Sequence, residues 1–550
     1  MHIINAADWG IYPDSDITEK LFALIEALKN TSEEKTVCFS QGTYFLDGAK
    51  CQKHMLYVTN TVGDKEFSAE ETPHLNAVPF YFNGINHLVF DGNNSIFIIR
   101  GKVTNIALED CCDITLKNME IRHAHPDMHE LKVVRKRLFS VEFDIDKDSV
   151  YELKNGKLYF KGEDYTCAAD ENALNAHWIG LIRSKTPNRL KRVAHPLIGS
   201  TGVSDLQNGR IRVKYLNTFR FKMGDCFYLF DVRRQFAGIF VNRCKDIQLD
   251  NLKQRFNYSL ALVAQDSENV SLVNSEFAPE QNAPRKMASV ADFIQICMCR
   301  GSVRIDNNRF DGAGDDCLNV HGIHFKITEK KDNQITVRFM HPQSHGFNPL
   351  RAGDTIAFIN PKTLLETAQA KIIKSELIGE YEIRLTLDSA EQATVGEVIE
   401  DISACPNVTF SKNILNRIIT RGLLLTTRGK VLVENNRFIS TSMSNILLSD
   451  DAKSWYESGM CCDVTIRNNT IEYCGQTPIL IKPENSVHRA AVHKNIKIHG
   501  NTFKNYKGYC IKAKSSDMIE IENNRFHSNK IIQQKNCGNV FVQKQGEKNG

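Results

Sequence analysis

The chain has 550 residues, 42% of them apolar and 24% charged, and a formal net charge of +4. So small an excess, with no dense Lys/Arg stripe, gives no ground for a nucleic-acid partner. No apolar run approaches the roughly 18 residues that a spanning helix requires, so neither a membrane span nor a membrane partner is expected.

In chain order, the opening MHIINAADWGIYPDSD lacks the basic and then apolar regions of a signal peptide. As it stands the sequence reads as cytoplasmic, or as secreted or periplasmic if a leader has been removed. Residues 17–30, ITEKLFALIEALKN, carry the one clear helical pattern, with apolar residues at 21, 22, 24, 25 and 28 on one stripe. This helix is expected to cover strand edges at the N-terminal end of the body.

From residue 113 onward a phrase recurs: DITLKNMEI (113–121), DIQLDNLKQ (246–254), NVSLVNSEF (269–277), SVRIDNNRF (302–310), KVLVENNRF (430–438), DVTIRNNTI (463–471), NIKIHGNTF (495–503) and MIEIENNRF (518–526). Apolar alternation predicts a strand, and the asparagines that follow predict a turn. Strand, Asn turn and strand, repeated, describe the coils of a right-handed parallel β-helix, with the asparagines as structural ladders.

A second strand follows each phrase, among them LALVA (260–264), DFIQI (292–296), DCLNV (316–320), RGLLL (421–425) and NILLS (445–449). Asp292 and Asp316 are 24 residues apart, as are Arg421 and Asn445; omitting an 81-residue block at 323–403 gives the same step from Asp316 to Arg421. This register predicts a polar column of Asp292, Asp316, Arg421 and Asn445 on neighbouring rungs. The omitted block and another at about 131–235 have the short alternating runs and Gly turns of antiparallel strands. The expected class is therefore all-β: a right-handed parallel β-helix (1–130, 236–322 and 404–550) interrupted by two small inserted β-barrel or sandwich domains (131–235 and 323–403). The 16 cysteines include no CxxC pair and the histidines are scattered. No metal site is expected, and the cysteines read as buried, reduced thiols.

The densest chemistry lies in RFDGAGDDCLNVHG (309–322), where Asp315 and Asp316 are adjacent and Asp292 falls one coil earlier. Clustered carboxylates raise one another's pKa. Three readings fit them: a solvated turn partnered by Arg421, a calcium site serving a lyase, or glycoside hydrolysis, which needs one protonated and one ionised carboxyl. Asn319 and His321 follow on the same strand, and Trp455 and Glu457 in SWYESG suit a sugar face and its hydroxyls. Asp450 and Asp451 read as turn residues. The RR pair at 233–234 and the basic KVVRKRL (132–138) read as solvated surface.

The stretch ADFIQICMCRGSVRIDNNRFDGAGDDCLNVHG (291–322) resembles the core motif of glycoside hydrolase family 110, inverting exo-α-1,3-galactosidases related in fold and mechanism to polygalacturonases. TRGLLLTTRGKVLVENNRF (420–438) and DDAKSWYESGMCCDVTIRNN (450–468) resemble that family's later motifs. The resemblance implies Asp315 as general acid, with Asp292 and Asp316 activating water. It also implies an oligosaccharide ending in α-linked galactose as substrate, with Asn319, His321, Arg421, Asn445, Trp455 and Glu457 as candidate binding residues. It implies no metal and no organic cofactor, and pairing of two copies through the inserted domains. A related hydrolase of another glycan, such as a galacturonide, and a non-catalytic glycan-binding β-helix are the alternatives.

Overall fold

The computed structural model describes residues 2–30, 33–62, 72–163, 166–169, 179–182, 192–230, 234–281, 283 and 285–543. The recurring phrases form strands, and two long sheets wind as coils: one of 21 strands, parallel throughout, and one of 12. The second is also parallel, apart from Glu457–Ser458, which pairs antiparallel with the end of Leu318–Ile323. Inward side chains of both sheets make one continuous core, in which Phe310 meets Phe277 edge-on, lies tilted against Phe293 and stacks on Phe410.

The Asn turns hold the coils for a physical reason. In the pairs 307–308, 435–436, 468–469 and 523–524 the first residue takes the left-handed conformation that asparagine tolerates (Asn307 φ 59°, Asn435 φ 57°, Asn468 φ 55°, Asn523 φ 54°). The second turns inward and is buried. There Asn413, Asn436, Asn469, Asn501 and Asn524 each accept, through Oδ1, the backbone N–H of the ladder member one coil earlier, at 2.8–2.9 Å. Their amides donate back to carbonyls such as Phe410 O (2.8 Å) and Val433 O (2.9 Å). The ladder thus satisfies backbone groups that the turn would otherwise bury unpaired.

The helix Thr18–Leu28 packs Leu21, Leu24, Ile25 and Leu28 into this same core beside Phe80 and Phe82. The fifteen described cysteines are free thiols, and eight of them are buried; Cys167 lies outside the residues whose side chains are described.

Two excursions leave the β-helix. Met128–Lys136, Ser140–Ile145, Arg210–Tyr215 and Cys226–Phe230 belong to a seven-stranded antiparallel sheet, which closes with a three-stranded sheet over a core including Leu131, Phe143, Phe160, Phe221 and Phe227. Phe325–Asp401 contains a closed six-stranded barrel. Its first strand pairs with its last (Phe325 opposite Ile399), so chain entry and exit lie side by side. Arg300 of the β-helix fastens it by ion pairs to Asp354 (2.8 Å) and Asp401 (3.2 Å).

The observed register places Ile294 opposite Leu318, and Leu318 opposite Leu423 across the barrel. Asp292, Asp316 and Arg421 therefore align, as their spacing implies. The next step differs: Leu423 lies opposite Ile446, a coil one residue shorter than 24. Ser444, not Asn445, takes the position after Arg421. Asn445 is buried and its amide bonds Thr441 Oγ1 (2.9 Å), which fixes a turn outside the carboxylate cluster.

Candidate active site

Asp292, Asp315 and Asp316 sit at the entries of adjacent rungs, ahead of Ile294–Cys297 and Leu318–Ile323. The turn before them needs its glycines. Gly312 has φ +87°, and a Cβ on Gly314 would lie 2.0 Å from Val290 O, so only glycine lets the two turns approach so closely. That approach lets the Asp316 N–H donate to Asp292 Oδ1 at 3.1 Å.

All three carboxyls are buried and their partners differ. Asp316 is clamped by Arg421: Nη2 meets Oδ2 at 2.8 Å, while Nε and the Arg421 backbone N–H both reach Oδ1 at 2.9 Å. The Thr420 hydroxyl also donates to Oδ1. Asp315 is paired with Arg234, Nη2 to Oδ2 at 2.6 Å. Asp292 has neither arginine in contact range of its own. Burial pushes the Asp292 carboxyl well above the usual carboxylate range, the charges of Asp315 and Asp316 push it further, and Arg234 and Arg421 only partly oppose this. Burial also raises Asp316, but Arg421 holds it back. Among the described residues Arg234 and Arg421 each pair with one carboxyl of the cluster, and burial beside two further carboxyls favours Asp292 as the seat of a retained proton.

Replacing Asp292 by Asn tests this. Because its folded-state pKa is raised, the stabilising contribution of Asp292 is fully present below the unfolded value near 4 and is lost as pH rises through the folded value. Asp292→Asn keeps the acceptor for Asp316 and removes the titration. It should match wild type at acid pH and gain about 1–4 kcal/mol over it as pH rises, as read by urea unfolding across that range.

Beyond the carboxylates, Asn319 Nδ2 donates to Glu457 Oε1 at 2.9 Å, because Glu457–Ser458 pairs against Gly322 and Ile323. His321 lies 3.8 Å from the same carboxylate, contacts Gln295 Nε2 through Nε2 (2.5 Å), and lies 2.7 Å from Gly322 O through Nδ1. Nδ1–H donating to that carbonyl and Nε2 accepting from the Gln295 amide is the arrangement that satisfies both contacts. Trp455 is 46% exposed and stacks on His341, centroids 4.4 Å apart. Asp451 behaves as a turn residue, accepting from the backbone of Lys453, Ser454 and Trp455. Asp450 is buried against His324 at 2.8 Å. Of the candidate residues, the structure therefore joins the three aspartates with Arg421, and Asn319 and His321 with Glu457; Trp455 is held by His341, and Asn445 lies apart.

Two site residues escape a reading of the sequence. Arg234 is not solvated surface: it is 9% exposed and grips Asp315, while its neighbour Arg233 lies outside the described residues. Its partner is 81 positions away, and nothing local marks it. His341 comes from the barrel. Burial lowers its pKa to about 4, assisted by the charges of His321 and Arg234, which places it in the same electrostatic neighbourhood.

The parallel β-helix with buried carboxyls gathered on neighbouring rungs and the relatives that follow place this protein among the β-helical glycoside hydrolases. The profile described as GLAA-B beta-barrel domain II matches residues 334–399, and that of the right handed beta helix region matches residues 396–526. Alpha-1,3-galactosidase A of Bacteroides thetaiotaomicron is 32% identical, covering 97% of this chain and 94% of its own length, and Alpha-1,3-galactosidase A of Akkermansia muciniphila is 31% identical, covering 78% and 71%. The chain belongs to the α-1,3-galactosidase family, glycoside hydrolase family 110. Among solved structures, a family 28 exopolygalacturonase of Yersinia enterocolitica aligns at TM-score 0.41 and 9% identity, covering 98% of this chain and 78% of that one, a likeness too loose to bear on the site.

Proposed function

We propose that the protein is an inverting exo-α-galactosidase that removes terminal α-1,3-linked galactose from oligosaccharides. The observation that carries this reading is the gathering of three buried carboxyls at the entries of adjacent rungs, with Asp315 paired to Arg234, Asp316 clamped by Arg421, and Asp292 pushed toward its protonated form by burial and by its two neighbours. The printed activity of the relatives supports the sugar and linkage.

In the productive state Asp315 carries the proton and gives it to the leaving glycosidic oxygen as the C1–O bond breaks. A water held by Asp292 and Asp316 attacks C1 from the opposite face and leaves its proton on Asp292. The site then has Asp315 ionised against Arg234 and Asp292 protonated, in keeping with the ion pair of the one and the burial of the other. A new cycle requires Asp315 to be freed from Arg234 and reprotonated.

Proton NMR of an α-1,3-galactoside digest followed from its first minutes tests the stereochemistry. β-Galactose is expected first, with the α-anomer growing in later by mutarotation; α-galactose as the first product would overturn inversion.

A further inference from the structure

The first inserted domain ends in a feature that the hydrolytic site does not use. At the hairpin joining Met128–Lys136 to Ser140–Ile145, Leu138 and Phe139 are 57% and 60% exposed. The segment after Arg210–Tyr215 lies against them: Tyr215 N–H donates to Phe139 O (2.9 Å), and Thr218 Oγ1 donates to Arg137 O (2.6 Å). That segment exposes Leu216 (80%), Phe219 (76%) and Met223 (56%). Five large apolar side chains are thus clustered in water at one tip, a placement that marks an interaction surface.

Among the described residues, the two segments that form the tip carry one sign of charge. Arg135, Lys136, Arg137, Lys214, Arg220 and Lys222 are exposed around it, and residues 133–141 and 211–224 contain no Asp or Glu. Arg220 and Lys136 are partly spent on carbonyls: Arg220 on Pro196 O and Ile198 O at 2.6 Å, Lys136 on Phe221 O at 3.0 Å. These bonds brace the loop from behind. An apolar tip inside a cationic collar matches a lipid surface that is apolar below and anionic above. Two identical tips would instead bring collar against collar, which argues against a second copy as the occupant.

We infer that this tip docks on an anionic phospholipid bilayer, with Leu138, Phe139, Leu216, Phe219 and Met223 entering the interface and the basic collar meeting the headgroups. Among the described residues no helix is long and apolar enough to cross a membrane, which bears on crossing a bilayer and not on resting upon it. Met128 packs beside Phe256 and Tyr258, and the strand from there to Lys136 covers roughly 26 Å at about 3.3 Å per residue, so the tip lies at the far end of that strand. The domain would act as a foot, holding the hydrolytic face clear of the lipid.

Co-sedimentation of the full chain with vesicles tests this. Binding to phosphatidylcholine vesicles containing phosphatidylglycerol is expected, weaker by about tenfold on pure phosphatidylcholine and falling with added salt. The variants Leu138→Ser/Phe139→Ser/Phe219→Ser and Arg137→Gln/Lys214→Gln/Lys222→Gln should each weaken it by about tenfold, while far-UV circular dichroism and melting confirm that they fold. Failure of the wild type to bind either vesicle would overturn the inference, as would binding that the folded tip variants leave unchanged. Light scattering covers the remaining occupant: a dimer that the serine variant abolishes, without vesicle binding, would assign the tip to a second copy.

Discussion

Asp315→Asn is expected to lower kcat on an α-1,3-linked disaccharide by about 10²- to 10⁴-fold, the usual contribution of a positioned proton donor. The loss should shrink sharply on a nitrophenyl α-galactoside, whose leaving group departs with little need of a proton. Asp292→Asn should instead lose activity equally on both substrates, because attack by water is impaired whatever leaves. The ratio of the two kcat values for each variant therefore separates donor from acceptor. If Asp315→Asn loses as much on the nitrophenyl substrate as on the disaccharide, Asp315 is not the acid. Retention of Arg234 in the variant adds a further check. The Asn cannot form the 2.6 Å ion pair, so the guanidinium loses its charged partner without any change in the size of the side chain.

The largest expected stability effect is at Arg421. Arg421→Met keeps an unbranched apolar stem but removes both side-chain contacts to Asp316 and the positive charge, leaving a buried carboxylate with only the Thr420 hydroxyl and one backbone N–H on Oδ1. Loss of one partner from a buried pair costs about 3–5 kcal/mol. Asp316 should then titrate higher, and the deficit should be greater at pH 8 than at pH 4, since the unpaired charge exists only above its pKa. Adding Asp316→Asn should restore most of the stability, because no charge is then left buried, but not the activity. Urea unfolding of the two single variants and the double gives the coupling directly. A single Arg421→Met as stable as wild type at pH 8 would show that Asp316 is not ionised in the resting protein.

The contrast between these residues shows what a linear sequence carries. Asp292, Asp316 and Arg421 could be placed together because parallel coils turn sequence spacing into spatial adjacency, and alternating strands beside Asn turns fix the count. The same reasoning misplaced Asn445 when one coil ran a residue short: nothing in TSMSNILLSD marks a tighter turn, and a one-residue error moves a side chain to another position on the rung. Arg234 and His341 were illegible for a different reason. Each approaches from an excursion of the chain, and where such an excursion folds back depends on tertiary packing that no local period encodes. The exposed tip of the first insert was half legible, since its basic residues are plain in KVVRKRL, but exposure of Leu138 and Phe139 can be read only once their strand has a neighbour.

The barrel interrupts the chain between two rungs that touch. Asp316 and Arg421 are 105 residues apart in sequence yet joined by hydrogen bonds. During synthesis at some 5–20 residues per second, the aspartate emerges roughly 5–20 s before the cation that neutralises it. Until the barrel closes and brings Phe325 beside Ile399, the half-made spiral ends on an uncovered acidic edge. The inserted domain thereby sets the schedule on which the spiral can resume. A chain whose barrel closes slowly should accumulate a species with its first coils protected from hydrogen exchange and the coils beyond residue 404 still open.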